Sequence, residues 1–169
     1  GAYLLGRTHL HQTVRAIVLD TYRICEATCP DTHFVLGELG WKNGGLFLPH
    51  TAHQNGLSAD FMAPLLKDGQ SYRSHHLFNL WGYSIEFDAQ GRSDELQIDF
   101  PTMALHLQAL QQSTIAHGMV IQKIIFNPVL QDQLFKTEVG ALLQDLPFGQ
   151  NREVIRHDNH YHVDFGVKQ

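Results

Sequence analysis

From residue 160 the chain reads His160-Tyr161-His162-Val163-Asp164-Phe165, and this strict alternation constrains the fold more than any other feature. In an extended strand, side chains two residues apart share a face. Tyr161, Val163 and Phe165 therefore form one apolar face that needs a core to bury it. His160, His162 and Asp164 form the other. A half-buried strand has no packing reason to set two imidazoles side by side, so that face is expected to carry chemistry.

The rest of the chain supplies the elements for such a core. Apolar positions Leu10, Val14, Ile17, Val18 and Tyr22 recur at helical spacing and predict a helix over 8–26, with Thr8 as cap and Pro30 marking the end. The glycines of 34–49 read as looped chain. Residues 57–62 alternate, with Leu57, Ala59 and Phe61 inward, and predict a strand. A second strand is expected over 83–87, closed by the turn Asp88-Ala89-Gln90-Gly91. A helix over 99–116 has Asp99 near its start and Pro101 in its first turn. A β-branched strand follows over 120–126. Asn127-Pro128 then opens a helix expected to run to about Leu143, capped by Asn127. Separated helices and strands in this order point to an α+β fold, with a small antiparallel sheet flanked by helices. The 169 residues suit one domain spanning 1–169 and suffice to bury a core.

Composition narrows the function classes. With 43% hydrophobic and 17% charged residues the chain is not a disordered polymer. A net charge of -5 argues against a nucleic-acid partner, which calls for a basic face. Apolar runs such as Met119-Val120-Ile121 are too short to span a bilayer. The opening Gly1-Ala2-Tyr3 shows no signal-peptide pattern, which leaves the compartment open. Cys25 and Cys29 read either as a disulfide across a helix end or as two free thiols. No second cysteine pair completes a metal motif.

The 12 His are the compositional outlier, and they cluster. His50, His53 and Asp60 form H-x-x-H-x6-D, while His157, His160 and His162 form H-x-x-H-x-H. His53 and Asp60 cannot share a helix and one metal, because seven residues of helix rise about 10 Å. Gly56 argues instead for a turn that folds a His53 loop back over the strand carrying Asp60. His53, Asp60 and His162 are then expected to hold one metal. Two His, one carboxylate and an open position describe a catalytic zinc site, where the cation acidifies water and polarises a carbonyl. The neighbouring His160 is a candidate proton acceptor.

These residues resemble a known family. The segment Pro49-His50-Thr51-Ala52-His53-Gln54-Asn55-Gly56-Leu57-Ser58-Ala59-Asp60 resembles the P-x-H-x-S-H-Q-x-G-L-D-x-D segment of the penicillin-insensitive murein endopeptidases. His157-Asp158-Asn159-His160-Tyr161-His162-Val163 resembles their H-D-x-H-x-H-V segment. Ile124-Ile125-Phe126-Asn127-Pro128 looks like their strand-to-helix junction, and Gly44-Gly45 precedes the first motif as it does there. The resemblance runs from about Leu36 to Val167. It implies a zinc peptidase with a small antiparallel sheet, related to lysostaphin-type and D-Ala-D-Ala peptidases. Such enzymes cut D-alanyl–diaminopimelyl cross-links of bacterial peptidoglycan, in the periplasm or otherwise outside the cytoplasm. By that resemblance His53, Asp60 and His162 bind Zn2+, His160 is the general base, and His157 orients or stabilises the developing oxyanion. His50 matches a position that serves an additional metal, although its partner Asp and His have no counterparts here. Ser58 stands where the family has Asp, and Asp164 where a basic residue is common.

The remaining His have blander readings. His9, His11, His106 and His117 fall on helices or their ends and are expected to face solvent or cap. His75 and His76 follow a polar stretch, Ser71 to Ser74, read as a solvated loop. Trp41, Tyr72 and Trp81 suit either a substrate groove or a core margin. No S-x-x-K motif occurs, so no serine awaits acylation by a β-lactam. Other readings stay open: an L,D-endopeptidase or carboxypeptidase on the same substrate class, a metal-holding module that grips peptidoglycan without cutting it, and a non-haem iron site of similar donors.

Overall fold

A computed structural model describes residues 6–46, 53–73, 85–149 and 157–167. Within them lie helices α1 (Gln12–Thr28), α2 (Phe100–Ala116) and α3 (Pro128–Phe135), and strands β1 (Ser58–Met62), β2 (Leu65–Lys67), β3 (Gln70–Tyr72), β4 (Gln97–Ile98), β5 (Met119–Ile125) and β6 (His160–Val167). The fold is α+β, with two small antiparallel sheets ordered β1-β6-β5 and β3-β2-β4.

The β1-β6-β5 sheet behaves as its alternation requires. Ala59 and Phe61 on β1, Tyr161, Val163 and Phe165 on β6, and Ile124 on β5 are buried in one core with Ile17, Met103, Leu107 and Leu110 of α1 and α2. Phe61 stacks on its cross-strand partner Tyr161 at a ring-centroid distance of 5.6 Å. Helix α2 is the central post, packing on α1, β5 and α3. It starts where the sequence indicates: Asp99 Oδ1 accepts the Thr102 N–H at 3.1 Å, and Pro101 occupies the first turn. Asn127 caps α3 in the same way, accepting the Val129 N–H at 2.9 Å. None of the helices among the described residues is long and apolar enough to cross a membrane.

Several expectations are corrected. Helix α1 begins later, capped by His11 rather than Thr8: His11 Nδ1 accepts the Thr13 N–H at 3.3 Å, while His9 pairs with Gly40 through two backbone bonds. Helix α3 stops at Phe135 instead of continuing to Leu143. Thr137 Oγ1 donates to the Leu134 carbonyl at 2.7 Å and accepts the Gly140 N–H at 3.0 Å, so a side chain takes over helix-type bonds. A single 3-10 turn, Gly140–Leu143, follows. Ile85 to Phe87 form no strand, and the first two residues of that expected strand lie outside the described residues. The chain there leads into the expected turn, where Asp88 Oδ1 accepts the Gln90 and Arg92 N–H groups. Ser58 and Asp60, on the face of β1 opposite its apolar side, are buried as well, and segment 35–38 hydrogen-bonds along the outer edge of that strand. The β3-β2-β4 sheet was not anticipated. Its β2–β3 hairpin turns at Asp68-Gly69 with φ of 51° and 74°, the positive pair that a two-residue I′ turn demands. Cys25 and Cys29 are buried free thiols, Cys25 pushed up to about 12 by burial.

Candidate metal centre

The strand register builds the site. Strand β6 lies between β1 and β5, and pairing sets Asp60 directly opposite His162. Their side chains rise on the sheet face away from Phe61 and Tyr161. His162 Nδ1 lies 2.7 Å from Asp60 Oδ1, although the residues are 102 apart in the chain. His53 enters from the loop before β1 and brings Nε2 to 3.3 Å from the same Asp60 oxygen. The His53 and His162 rings meet edge-on at 4.8 Å. One donor atom from each of the three residues lies within 4.8 Å of the others, and all three residues are buried.

The loop carrying His53 is held in an unusual conformation. His53 has φ of 64°, in the left-handed region that a non-glycine residue enters at a cost of roughly 1–3 kcal/mol. Gly56, at φ 73°, turns the chain back toward β1, and its carbonyl accepts the His11 N–H at 2.9 Å. Asn55 Oδ1 accepts the Leu57 N–H and stiffens the turn. The loop rests against 37–45. A Cβ on Gly40 would sit 2.7 Å from the His53 carbonyl oxygen, so only glycine fits there. Gly45 N–H donates to Gln54 O, Gly37 N–H donates to Asp60 O, and Asp60 N–H donates to Glu38 O. The glycine-rich stretch thus braces the backbone of two members of the cluster. Sequence reading took it for looped chain and missed this role; its run of glycines just before His53 was the available signal.

The electrostatics follow from burial and proximity. Burial alone would raise the Asp60 carboxyl, but hydrogen bonds from His162 and His53 outweigh it and hold Asp60 well below the usual carboxylate range. Burial would lower His162, yet hydrogen bonds to Asp164 and Asp60 prevail and raise it to about 9. Without a metal, His162 is therefore a cation with both N–H groups donated to carboxylates. Two imidazoles and a carboxylate, buried together, suit a divalent ion. A tetrahedral zinc with bonds near 2.0–2.2 Å would set its ligands about 3.3 Å apart, close to the His53–Asp60 separation. This buried group could hold a metal ion, whose binding would compete with protonation of the imidazoles.

The other candidates fall around it. His160 is two residues from His162 on the same strand face, about 7 Å along β6, and its Nδ1 lies 2.8 Å from Asn159 Oδ1. His157 lies at the start of this segment with its ring 4.7 Å from that of His160. The His157 carbonyl accepts the Asn127 N–H, and the Asn127 side chain donates to Asp158 at 2.7 Å, so the α3 cap anchors the histidine segment. His50, His75, His76 and Trp81 lie outside the described residues. His106 is a correction: it is 0% exposed, not solvent-facing. His117, at the end of α2, pairs with Asp20 at 2.7 Å. Neither family models nor curated proteins gave a match to this chain.

Proposed function

We propose that this chain is a zinc-dependent murein D,D-endopeptidase that hydrolyses D-alanyl–diaminopimelyl cross-links of peptidoglycan outside the bacterial cytoplasm. The observation that carries the reading is the convergence of His53, Asp60 and His162 in one buried group, with two further imidazoles on the adjoining segment. Two His and one carboxylate are the donor set of a catalytic zinc site with an open position. The substrate class comes from the resemblance of residues 49–60 and 157–163 to the murein endopeptidase segments.

Residues His53, Asp60 and His162 would hold the zinc. Bound there, zinc supplies Lewis acidity to a water molecule and to the scissile carbonyl. The chain's own residues do the rest. Asn159 Oδ1 can only accept, so His160 Nδ1 carries the proton between them and Nε2 is the basic nitrogen. His160 Nε2 takes the proton of the attacking water and delivers it to the leaving amine. His157, beside His160, orients that ring or donates to the developing oxyanion. The proposed reaction uses no serine nucleophile, so penicillin has no acylation target.

Digestion of purified sacculi, read by mass spectrometry, tests the proposal. Cross-linked muropeptides should fall to monomers, each cut adding one water. Chelator should stop the reaction, zinc should restore it, and penicillin should leave it unchanged. Cleavage that persists in chelator and in His162→Ala would overturn the zinc mechanism, and absence of cleavage on any cross-linked sacculus would overturn the activity.

A further inference from the structure

His162 is held on both sides. Its Nδ1 faces Asp60, and its Nε2 lies 2.8 Å from Asp164 Oδ1. Asp164 is in turn held by Ser58, whose hydroxyl donates to the same Oδ1 at 2.5 Å. The register explains the chain of contacts. Ser58 and Lys123 are the two cross-strand partners of Asp164, so the three form a row across the sheet beside the row of Asp60 and His162. Ser58 is buried, while the Asp164 side chain keeps 28% exposure, so the carboxylate closes the outer side of the imidazole without being part of the core. Ser58 and Asp164, two of the positions at which the sequence departs from the resembled pattern, are each other's partners in the fold.

An ionised carboxylate only accepts hydrogen bonds. With Asp164 on Nε2, that nitrogen must keep its proton, and the lone pair available to a metal is on Nδ1, the side where Asp60 and His53 stand. We propose that Asp164, itself fixed by Ser58, is a positioning residue for the metal centre: it holds the His162 Nε2–H and thereby commits Nδ1 as the ligating nitrogen. The inference rests on the reading of His53, Asp60 and His162 as a metal centre. A carboxylate behind a ligating imidazole fixes its tautomer and ring orientation and raises its basicity, and losing such a partner costs about 10–100-fold in metal affinity. Asp164 would touch neither metal nor substrate.

The test uses the wild-type chain and Asp164→Ala, Asp164→Asn and Ser58→Ala variants, stripped of metal and titrated with zinc against a chromophoric chelator. Ring-nitrogen NMR of the zinc-loaded wild type reads which His162 nitrogen is metallated. The expected results are Nδ1 metallation, a zinc affinity about 10–100-fold weaker in Asp164→Ala, and a smaller loss in Asp164→Asn, whose amide oxygen still accepts. Ser58→Ala should weaken zinc less than Asp164→Ala, because it releases the carboxylate without removing it. Melting of the metal-free proteins separates this role from general support, since a merely structural Asp164 would lower the melting temperature and leave the zinc affinity of the folded variant intact. Zinc affinity in Asp164→Ala or Asp164→Asn equal to wild type, or Nε2 metallation in the wild type, would overturn the positioning role while leaving the metal centre standing. A wild-type chain that takes up no zinc would overturn the metal centre and this inference with it.

Discussion

Acid should destabilise this protein through one side chain on the opposite face of the sheet from the candidate metal centre. His106 of α2 is fully buried, its ring enclosed by those of Phe61, Phe34, Tyr22 and Tyr161 at centroid distances of 4.9, 5.0, 5.6 and 5.8 Å. Its Nδ1 sits 2.7 Å from the Tyr161 hydroxyl. Burial penalises the charged ring and lowers His106 from the ordinary 6.5 to about 3. In the unfolded chain the ring protonates at its ordinary value. Stability is therefore complete above 6.5 and is lost as pH falls toward 3, by about 1.4 kcal/mol per pH unit. Between neutrality and about pH 5 the loss from this one group is about 2 kcal/mol. His162 acts in the opposite sense: it is raised to about 9, so its contribution is fully present below 6.5 and declines from there as pH rises through 9. That contribution is common to the two proteins compared below and cancels between them. Asp60 is lowered, so its contribution persists until pH falls below the ordinary 3.8. The assay is urea unfolding in chelator at about pH 7 and about pH 5, for wild type and for His106→Phe combined with Tyr161→Phe. Replacing both partners avoids stranding a buried hydroxyl, a penalty of about 1–3 kcal/mol. Any pH-independent cost of the substitutions cancels when the two pH values are compared. The double variant should lose about 2 kcal/mol less than wild type on acidification. Equal losses in the two proteins would refute the assignment of acid lability to His106.

Three further outcomes follow from the packing and the site. Zinc at a thousandfold excess over its dissociation constant should stabilise the wild type by about 4 kcal/mol, seen as a raised melting temperature, and His162→Ala should show little or none of that rise. Gly40→Ala would drive a Cβ to 2.7 Å from the His53 carbonyl oxygen, so it should cost about 1–3 kcal/mol in denaturant melts and weaken zinc uptake in the same protein. Leu107→Ala, at a fully buried core position of α2, should cost about 2–5 kcal/mol while leaving zinc stoichiometry at its wild-type value in the folded protein.

Much of the local architecture was legible because it is written in short-range patterns. The alternation at 160–165 announced both faces of β6, and Asp99-Phe100-Pro101 and Asn127-Pro128 announced the starts of α2 and α3. The turn at Gly56 and the arrival of His53 over Asp60 were readable from glycine and from the limits of helical reach. Other features were readable but passed over. Asp68-Gly69 marks the β2–β3 hairpin, although its strands are too short to show an alternating pattern. The end of α3 was misjudged because periodicity says nothing of Thr137 seizing the helix-type bonds. The helical spacing around His106 could not tell that its face of α2 would be covered by an aromatic cage.

What the sequence alone determined is the chemistry on offer: which side chains share a face, which residues cap helices, and which imidazoles and carboxylates are available. Those follow from backbone geometry, which repeats over two to four residues. Tertiary structure alone decided which of them meet. The register that sets Asp60 against His162, and Ser58 against Asp164, joins segments about a hundred residues apart. That register is fixed by burying Phe61 on Tyr161 on the opposite face of the sheet, since a slip by one residue would carry the apolar side chains out of the core and the polar ones into it. The face that carries the candidate metal centre is thus held in alignment by the core behind it.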